Sequence, residues 1–332
     1  MMSSLMAREA LSTPDIIKQQ LNANQPVVEH LVAEIKRRDI KMIMMVGRGS
    51  SDHAGVFAKY LFEVELGIPV CFAAPSVSGV YEKQLQLHNT LAIVISQSGK
   101  SPDLLNQTKA IQAAGAWCIA LVNDGYSPLA ALADAILPIR AEAELAVAAT
   151  KSYMATLSAL LQLTAVWKGD NNLLDDVHQL PNALHTITEG KPQLTAEFLR
   201  GLRHCVVLGR GFGYAIAREI ALKLKEVCSI HAEAFSSAEF IHGPVTLVES
   251  ELAVINIIIE DESLVVHQQQ IKDVAHRGAR LLTISHPECG LSPRLLPLLV
   301  MLRFYLDVEH VAQTMGMNPD APPGLKKVTE TV

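Results

Sequence analysis

Short runs of apolar residues alternate with longer, more mixed stretches along most of the chain. Three of these runs, 41–47 (KMIMMVG), 90–96 (TLAIVIS) and 117–123 (WCIALVN), are rich in β-branched or bulky side chains and end at Gly, Ser or Asn. Each is too short for a helix and is typical of a buried strand in a parallel sheet. The run at 68–74 (IPVCFAA) is a further candidate strand.

Two of the intervening stretches predict helices. One is 52–66 (DHAGVFAKYLFEVEL), and the other is 101–115 (SPDLLNQTKAIQAAG). The second opens on Ser-Pro-Asp, which favours a helix start, and ends at Gly115, which favours a helix stop. This alternation of strands and helices predicts a doubly wound α/β fold with a parallel sheet.

The same pattern occurs twice. MVGRGSS at 45–51 is repeated as VLGRGFG at 207–213, and each copy follows an apolar run and precedes a helical stretch. The runs at 253–259 (AVINIII) and 280–285 (RLLTIS) predict further strands in the second half. The polar stretch 168–182 (KGDNNLLDDVHQLPN) is predicted to connect the halves. Two copies of one α/β unit are the simplest architecture that accounts for this repeat.

Composition and charge exclude several classes of protein. The chain has 332 residues, of which 49% are hydrophobic and 19% charged, and its formal net charge is −6. This predicts a globular protein of two domains rather than a disordered chain, and it argues against a nucleic-acid-binding surface. No apolar segment reaches the length of a membrane span, and the start lacks the apolar core of a signal peptide. With five cysteines and no C-x-x-C pair, the protein is expected in the cytoplasm, away from membranes.

The two glycine-rich turns raise the possibility of a dinucleotide site. The G-x-G-x-x-G fingerprint requires a third glycine, but Asp52 and Tyr214 occupy that position in the two copies. A tight turn that needs positive φ accounts for the glycines without a ligand. The sequence therefore favours a structural turn over a nicotinamide or flavin site.

The segment 95–103 (ISQSGKSPD) lies between a predicted strand and a predicted helix. Hydroxyls and free backbone N–H groups at a helix N-terminus bind a phosphate monoester well, and sheets of this class bind ligands at the carboxyl ends of their strands. Ser50 and Ser51, in the GSSDH loop, could contribute to the same anion site. An ordinary serine-rich turn with a helix cap explains the segment almost as well. The side chains in question are those of Ser96, Gln97, Ser98 and Ser101.

Two further segments carry candidate chemistry. Thr150 and Lys151, which follow a loop of small residues, are interpreted as a helix cap and a solvated charge. Glu219, Lys223 and Glu226 fall at i, i+4 and i+7 of a predicted helix and so share one face. From spacing alone, an exposed face with an ion pair is the favoured interpretation of that stripe.

The sequence after this helix favours a second interpretation. It stays small and polar up to His242-Gly243-Pro244, which places an imidazole at a turn. A carboxylate and an imidazole beside a sugar phosphate could divide the proton transfers at carbon and at oxygen between them. A metal site is less attractive, because this region has no H-x-x-x-H pair and no cysteine cluster.

Six segments together resemble the SIS (sugar isomerase) superfamily, and specifically the isomerase half of glucosamine-6-phosphate synthase and its stand-alone deaminase relatives. Each segment alone is weak, but they occur in family order along nearly the whole chain. They are GSSDHA, ISQSGKSPD, ELAVAATK, ALKLKEVCSIHAEAF, HGP and PPGLKKVTETV.

The resemblance implies a fold of two doubly wound SIS subdomains in tandem, without a metal or an organic cofactor. It also implies a phosphosugar substrate, with Val147 at a position whose backbone contacts the sugar. Ala149 replaces a serine of the synthases, so that one polar sugar contact is lost. The residues that match the family's phosphate site are Ser50, Ser51, Ser96, Gln97, Ser98 and Ser101, where Ser101 replaces the usual threonine.

The resemblance also implies catalytic roles. Glu226 matches the glutamate that moves a proton between C1 and C2 of the open-chain sugar, and Lys223 matches a neighbouring active-site lysine. His242 matches the histidine of ring opening, which reaches the site from a second subunit, so a homodimer with shared active sites is expected. Lys327 matches a lysine of the C-terminal tail that meets the sugar carbonyl, although Lys326 leaves a one-residue ambiguity.

These matches lead to an expected activity. The synthases carry a glutaminase domain with a cysteine directly after the initiator methionine, whereas this chain begins Met1-Met2-Ser3 and its first cysteine is Cys71. We therefore expect no glutaminase activity, and we expect a glucosamine-6-phosphate deaminase that yields fructose 6-phosphate and ammonia. A deglycase of a phosphorylated fructosamine and a galactosamine-6-phosphate deaminase are alternatives. A non-catalytic SIS regulator that senses a phosphosugar is a third.

The resemblance and the pattern together predict four consecutive segments. They are an N-terminal helical segment (1–38), a phosphate-binding SIS subdomain (39–170), a second SIS subdomain with the catalytic helix and the His-Gly-Pro loop (171–315), and a C-terminal tail that closes over the site (316–332).

Overall fold

We describe residues 4–248 and 251–327 of the chain in a computed structural model. Their contacts divide them into two compact units, and each is described by itself. The predicted division into four consecutive segments remains a prediction, and the last five residues of its tail lie outside the described residues. The five-stranded unit comprises Asp15–Glu144 and Lys151–His178, and the four-stranded unit comprises 4–14, Leu145–Thr150 and the described part of 179–327.

Helices and strands alternate through both units. The helices are α1 (Leu5–Leu11), α2 (Thr13–Lys36), α3 (Ser50–Leu66), α4 (Pro75–Gly79), α5 (Pro102–Ala113), α6 (Pro128–Leu132), α7 (Lys151–Lys168), α8 (Asn171–Thr188), α9 (Ala196–Leu199), α10 (Phe212–Cys228), α11 (Ser237–Ile241), α12 (Leu264–His276) and α13 (Leu296–Thr314), with a 3-10 turn at Pro244–Leu247. The strands are β1 (Met42–Val46), β2 (Val70–Phe72), β3 (Thr90–Ser96), β4 (Trp117–Val122), β5 (Ala135–Pro138), β6 (His204–Gly209), β7 (His231–Ser236), β8 (Ala253–Ile257) and β9 (Arg280–Ile284).

The five-stranded unit contains a parallel sheet of order β2-β1-β3-β4-β5. Its central strand β3 is buried along its whole length, as expected for a strand covered by helices on both faces. All four strands predicted in this half are confirmed. Strand β5 was not predicted, because its sequence AILP is only four residues long and is too short to show a pattern of its own.

The four-stranded unit contains a parallel sheet of order β7-β6-β8-β9. The predicted strands at 253–259 and 280–285 are confirmed as β8 and β9. Strand β7 was missed, since its sequence HAEAFS places histidine, glutamate and alanine where a buried strand would carry Val or Ile. The fold is therefore α/β with two parallel-sheet subdomains, as predicted.

The two glycine-rich turns have the same geometry, which confirms the internal repeat. Gly49 (φ 54°, ψ −127°) and Gly211 (φ 53°, ψ −124°) are the N-cap residues of α3 and α10. A Cβ on Gly47 would lie 2.8 Å from the backbone of Ser51, and one on Gly209 would lie 2.3 Å from that of Gly213. The glycines are thus required by positive φ and by close approach of the backbone, which confirms the interpretation as structural turns.

The polar stretch at 168–182 belongs mostly to helix α8 rather than to a loop. Its apolar residues Val177 and Leu180 are fully buried, while His178 and Gln179 between them are exposed. The low fraction of apolar residues concealed an amphipathic helix. Among the residues that the structure describes, no helix combines the length and apolar character needed to cross a bilayer.

Candidate active site

The predicted phosphate-binding side chains lie at the carboxyl ends of two neighbouring strands, in the first turn of α3 and between the end of β3 and the start of α5. Helix α3 starts directly after β1, and α5 starts after β3. These strands are adjacent, and the strand order reverses between them. In open α/β sheets this crevice is where ligands bind, and the N-termini of both helices favour an anion there. We call residues 49–53 and 96–101 the serine loops.

The second serine loop is held by hydrogen bonds of its own. The backbone N–H of Gly99 donates to Ser96 Oγ (3.1 Å), and Gly99 has φ 62°. A Cβ at this glycine would lie 2.2 Å from Ser127 Oγ, so another residue would displace the loop. Ser101 is the N-cap of α5, but its hydroxyl makes no capping hydrogen bond. That hydroxyl is therefore available for a ligand.

An ion pair that the sequence did not reveal connects the two serine loops. Arg48, which follows β1, places Nη2 2.9 Å from the Oδ2 of Asp103 in the first turn of α5. The Asp103 side chain is 8% exposed, whereas that of Arg48 is 47% exposed. The pair fixes the spacing of the loops, and the exposed guanidinium adds positive charge beside them.

The Glu-Lys-Glu stripe of α10 is buried, so the interpretation as an exposed ion-pair face is wrong. Lys223 is 1% exposed and Glu219 is fully buried, and their charged groups lie 3.3 Å apart. Lys223 also forms an ion pair with Glu226, whose side chain is 21% exposed. Tyr305 of α13 donates its hydroxyl to Glu219 Oε1 (3.2 Å), which explains why this face of α10 is covered.

The charge of Lys223 is stabilised by its two carboxylate neighbours. Burial by itself would lower the pKa of the ammonium, but the negative charges of Glu219 and Glu226 outweigh burial and raise the pKa above its ordinary value. Lys223 is therefore a fixed positive charge. Its two ion pairs orient the carboxylates of Glu219 and Glu226.

A cavity of about 340 Å³ lies beside Glu226. It is lined by the last residues of α10 and by 316–318 and 321–323 of the C-terminal segment. We call residues 316–327 the tail. Glu226 is thus the member of the stripe that reaches an open space, and the tail forms the opposite wall of that space.

The tail also contacts the loop of small residues at 145–150. Lys327 Nζ donates to the carbonyl of Ala146 (2.8 Å), and the N–H of Val147 donates to the carbonyl of Asp320 (3.1 Å). Lys327 is half-buried, whereas Lys326 is exposed. The geometry thus places Lys327, and not its neighbour, against the segment that carries Val147.

The remaining members of this loop differ in burial. Ala149 is half-buried and Thr150 is fully buried. Lys151 is 4% exposed, so the interpretation of this lysine as a solvated charge is wrong. Helix α7 is capped instead by Glu144, which accepts from the N–H (3.0 Å) and the hydroxyl (2.7 Å) of Ser152.

His242 is exposed at the end of α11, next to Gly243, whose φ is 154°. It is not among the residues that line the cavity beside Glu226. The described residues of one chain thus do not place this imidazole in the wall of that cavity. Nor do they contain a group of three His, Cys, Asp or Glu side chains arranged to hold a metal ion.

Comparison with known proteins agrees with this arrangement. The sequence profile described as "SIS domain" matches residues 38–166 and 198–288, which cover most of both sheets. The chain belongs to the SIS family. The resemblance inferred from the sequence segments is confirmed, together with the fold of two SIS subdomains.

Individual relatives are similar over most of this chain. A glutamine–fructose-6-phosphate aminotransferase (isomerizing) of Legionella pneumophila is 34% identical over 310 residues, which cover 87% of this SIS chain and 51% of the relative. The chain thus spans about half the length of the curated relatives it matches.

Solved structures show the same fold. One from Silicibacter pomeroyi, assigned provisionally as a phosphosugar isomerase, superimposes with a TM-score of 0.89 at 33% identity, covering 96% of this chain and 100% of that one. A glucosamine-6-phosphate deaminase from Thermotoga maritima superimposes with a TM-score of 0.79 at 22% identity, covering 99% and 100%. The second likeness is one of fold alone.

Several residues around the site were not found by sequence reasoning. They lie far apart in sequence and make long-range contacts, so no local spacing could have revealed them. The missed residues are Glu9, Arg48, Asp103, Tyr305 and Asp320.

Proposed function

We propose that this SIS protein is a phosphosugar isomerase that releases ammonia from an amino-sugar phosphate. Its proposed substrate is glucosamine 6-phosphate and its sugar product is fructose 6-phosphate. The observation that carries the proposal is the buried Lys223 paired with Glu226, whose carboxylate reaches the cavity beside the tail. A carboxylate that a buried ammonium orients at the wall of a cavity is placed to take a proton from a molecule bound there.

The proposed reaction needs one proton transfer between carbons and one hydrolysis. Glu226 takes the proton from C2 of the open-chain amino aldose, and the electron pair of that C–H bond forms the C1–C2 double bond of an enolamine. The π electron pair of the C1 carbonyl moves to O1, which takes a proton from water. Glu226 then returns its proton to C1, and the nitrogen releases a proton to water, which leaves an imine at C2 and a hydroxyl at C1. Water adds to C2, the C–N bond breaks, and ammonia leaves with a ketose phosphate.

Other residues have proposed roles around this base. Lys327 polarises the oxygen at C1, and His242, supplied by a second copy of the chain, helps open the sugar ring. Val147 contacts the sugar through its backbone. A homodimer with shared active sites is thus part of the proposal, and the exposure of His242 agrees with it.

The serine loops are the proposed binding site for the phosphate. Two helix N-termini and several hydroxyls offer hydrogen-bond donors there, and Arg48 adds a positive charge. The second copy of the repeat is less suited to an anion, because the loop after β8 carries Glu260, Asp261 and Glu262. Binding energy from the phosphate, remote from C1 and C2, would position the reacting carbons.

The cysteines support the ammonia-releasing direction. Hydrolysis of glutamine by the family's route needs a reactive thiolate. Burial raises the pKa of Cys118, Cys205 and Cys228 to about 12, and it also raises that of Cys71. These four thiols are poor nucleophiles at neutral pH. We therefore propose that none of these four cysteines supports a glutaminase activity.

Ammonia release from a panel of substrates tests the proposal. The panel contains glucosamine 6-phosphate, galactosamine 6-phosphate and a fructosamine 6-phosphate. We expect the fastest release from glucosamine 6-phosphate and only background release from unphosphorylated glucosamine. Faster release from either other phosphate would reassign the substrate. Binding of these compounds without any ammonia would favour a phosphosugar sensor.

A further inference from the structure

Helix α1 lies outside every segment assigned to catalysis, yet its only buried charged residue faces the 145–150 loop. Glu9 is 8% exposed. Its carboxylate accepts from the backbone N–H groups of Leu145 (2.5 Å) and Ala146 (3.3 Å). One side chain of α1 thus fixes two successive peptide groups directly before Val147.

The same short loop is tied to the tail on its other side. Ala146, whose N–H is bound by Glu9, accepts Lys327 Nζ through its carbonyl (2.8 Å). The next residue, Val147, donates its N–H to the carbonyl of Asp320 (3.1 Å). Three successive residues therefore join α1 to both ends of the tail segment 320–327.

The tail in turn contacts the start of α1. The two carboxylate oxygens of Asp320 accept from the first free N–H groups of this helix, those of Leu5 and Met6, each at 2.9 Å. A carboxylate at this position satisfies donors that have no partner inside the helix and interacts favourably with the helix dipole. The hydrogen bonds thus form a closed circuit from α1 to the loop, from the loop to the tail, and back to α1.

We propose that α1 is a positioning element for the active site, with Glu9 and Asp320 as its positioning residues. They act through Val147 and Lys327, and this inference rests on the roles proposed for those two residues. In a closed circuit, each hydrogen bond restricts the motion of the groups that form the other hydrogen bonds, so those bonds cost less conformational entropy. Loss of one carboxylate therefore loosens segments that it does not touch.

Amide hydrogen exchange tests this coupling without any substrate. Asp320→Asn removes the charge that binds Leu5 and Met6, but it leaves the N–H groups of Leu145 and Ala146 facing Glu9. We expect these two loop amides to exchange about fivefold or more faster than in the wild type, as expected for the loss of a buried hydrogen bond. The matched control is Asp273→Asn on α12, at an exposed position. Unchanged exchange at 145 and 146 would overturn the coupling.

Steady-state kinetics tests the positioning role. Glu9→Gln replaces one acceptor oxygen by an NH2 group, which would face the backbone N–H donors of the loop. The control is Glu197→Gln, the same change at an exposed position on α9. Under conditions where circular dichroism shows both variants folded, we expect kcat to fall about tenfold or more in Glu9→Gln, and Glu9→Asp to restore part of it. The inhibition constant for inorganic phosphate should stay unchanged, because the serine loops belong to the other unit.

The outcomes separate this inference from the proposed function. If the wild type releases no ammonia from any substrate, the proposed function fails, whereas the exchange experiment still decides the coupling. If the wild type is active and Glu9→Gln matches Glu197→Gln in kcat, the positioning role is wrong. A fall in active fraction with unchanged kcat per active site would also contradict it.

Discussion

Lys223 of α10 is buried between two carboxylates, and only one of them, that of Glu226, reaches a cavity. Glu219 lies on the closed side, where Tyr305 donates to it. This asymmetry separates two carboxylates on the same helix face. Glu219 and Lys223 form a fixed charge pair, whereas the carboxylate of Glu226 faces the cavity in which we propose that the substrate binds. The spacing alone predicted a solvated helix face, whereas the structure places Glu226, the proposed general base, at a cavity beside a buried cation.

Replacement of the buried Lys223 should destabilise the fold far more than replacement of an exposed lysine on the same helix. Lys223→Met leaves the buried Glu219 without its cation, so we expect the free energy of unfolding to fall by roughly 3–5 kcal/mol. Lys225→Met, an exposed position on the same helix, should change it by less than about 0.5 kcal/mol. Chemical denaturation monitored by circular dichroism measures both. Similar values for the two variants would contradict the buried charge pair.

Ser101 should act on substrate binding more than on stability. Its hydroxyl makes no capping hydrogen bond, so Ser101→Ala loses little in the free protein. A lost hydrogen bond to a charged phosphate costs about 1.5–3 kcal/mol, and we expect KM for the phosphosugar to rise by about tenfold to a hundredfold. Ser76→Ala, at an exposed position of the same unit, is the control. Equal KM values for the two variants would exclude Ser101 from the phosphate site.

Much of this fold could be predicted from the sequence, and the parts that could not share a physical cause. Strand β3 coincides with the predicted run at 90–96, because a strand buried on both faces is apolar at every position. Strand β7 escaped notice, because it carries exposed His231 and Glu233. The local pattern of apolar residues reveals a strand whose side chains are apolar and buried, and it does not reveal a strand that carries polar side chains.

The same limit applies to the site. The serines were found because they lie consecutively on one loop. The burial of Lys223 depends on Tyr305, and the shape of the 145–150 loop depends on Glu9, and both partners lie far away in sequence. Long-range polar contacts of this kind leave no spacing pattern in the sequence, so they can be identified only from the folded structure.

A buried histidine of the four-stranded unit should make stability depend on pH. His267 is 2% exposed; its ring nitrogens contact Ser237 Oγ (2.9 Å) and Asn256 Oδ1 (2.8 Å). Burial, together with a smaller contribution from the nearby charge of Arg210, lowers its pKa from 6.5 to about 4. The fold thus favours the neutral ring, so its contribution is present above pH 6.5 and is lost as pH falls towards 4.

The size of this effect follows from the two pKa values. Over the full window it is roughly 3 kcal/mol, and between pH 7 and pH 5 it is about 2 kcal/mol. On acidification the free energy of unfolding should fall for both proteins. We expect it to fall by less in His267→Gln than in the wild type, and the difference should equal the contribution of His267. His276→Gln, exposed at the end of the same helix, should behave like the wild type. An identical slope for all three proteins would show that His267 is not held neutral.

Mixed subunits test whether sites are shared. Glu226→Gln and His242→Asn are each expected to be inactive alone. Random mixing of the two yields heterodimers in which one site carries both changes and the other carries neither, so about a quarter of the wild-type activity should return. Glu226→Gln mixed with Lys223→Met should show no recovery, because one subunit supplies both residues to a site, so each site of a mixed dimer carries one of the two changes. Absence of recovery in the first mixture would place His242 outside a shared site.

In the proposed reaction, Glu226 carries a proton between C2 and C1. The direct measurement uses glucosamine 6-phosphate labelled with deuterium at C2, with the product analysed by mass spectrometry and NMR. With the wild-type protein we expect ammonia release and deuterium at C1 of the ketose phosphate, in part exchanged with solvent. Glu226→Gln should retain phosphosugar binding, release no ammonia and leave the C2 label in place. Full activity or full loss of the C2 label in Glu226→Gln would contradict the assignment of this residue as the base.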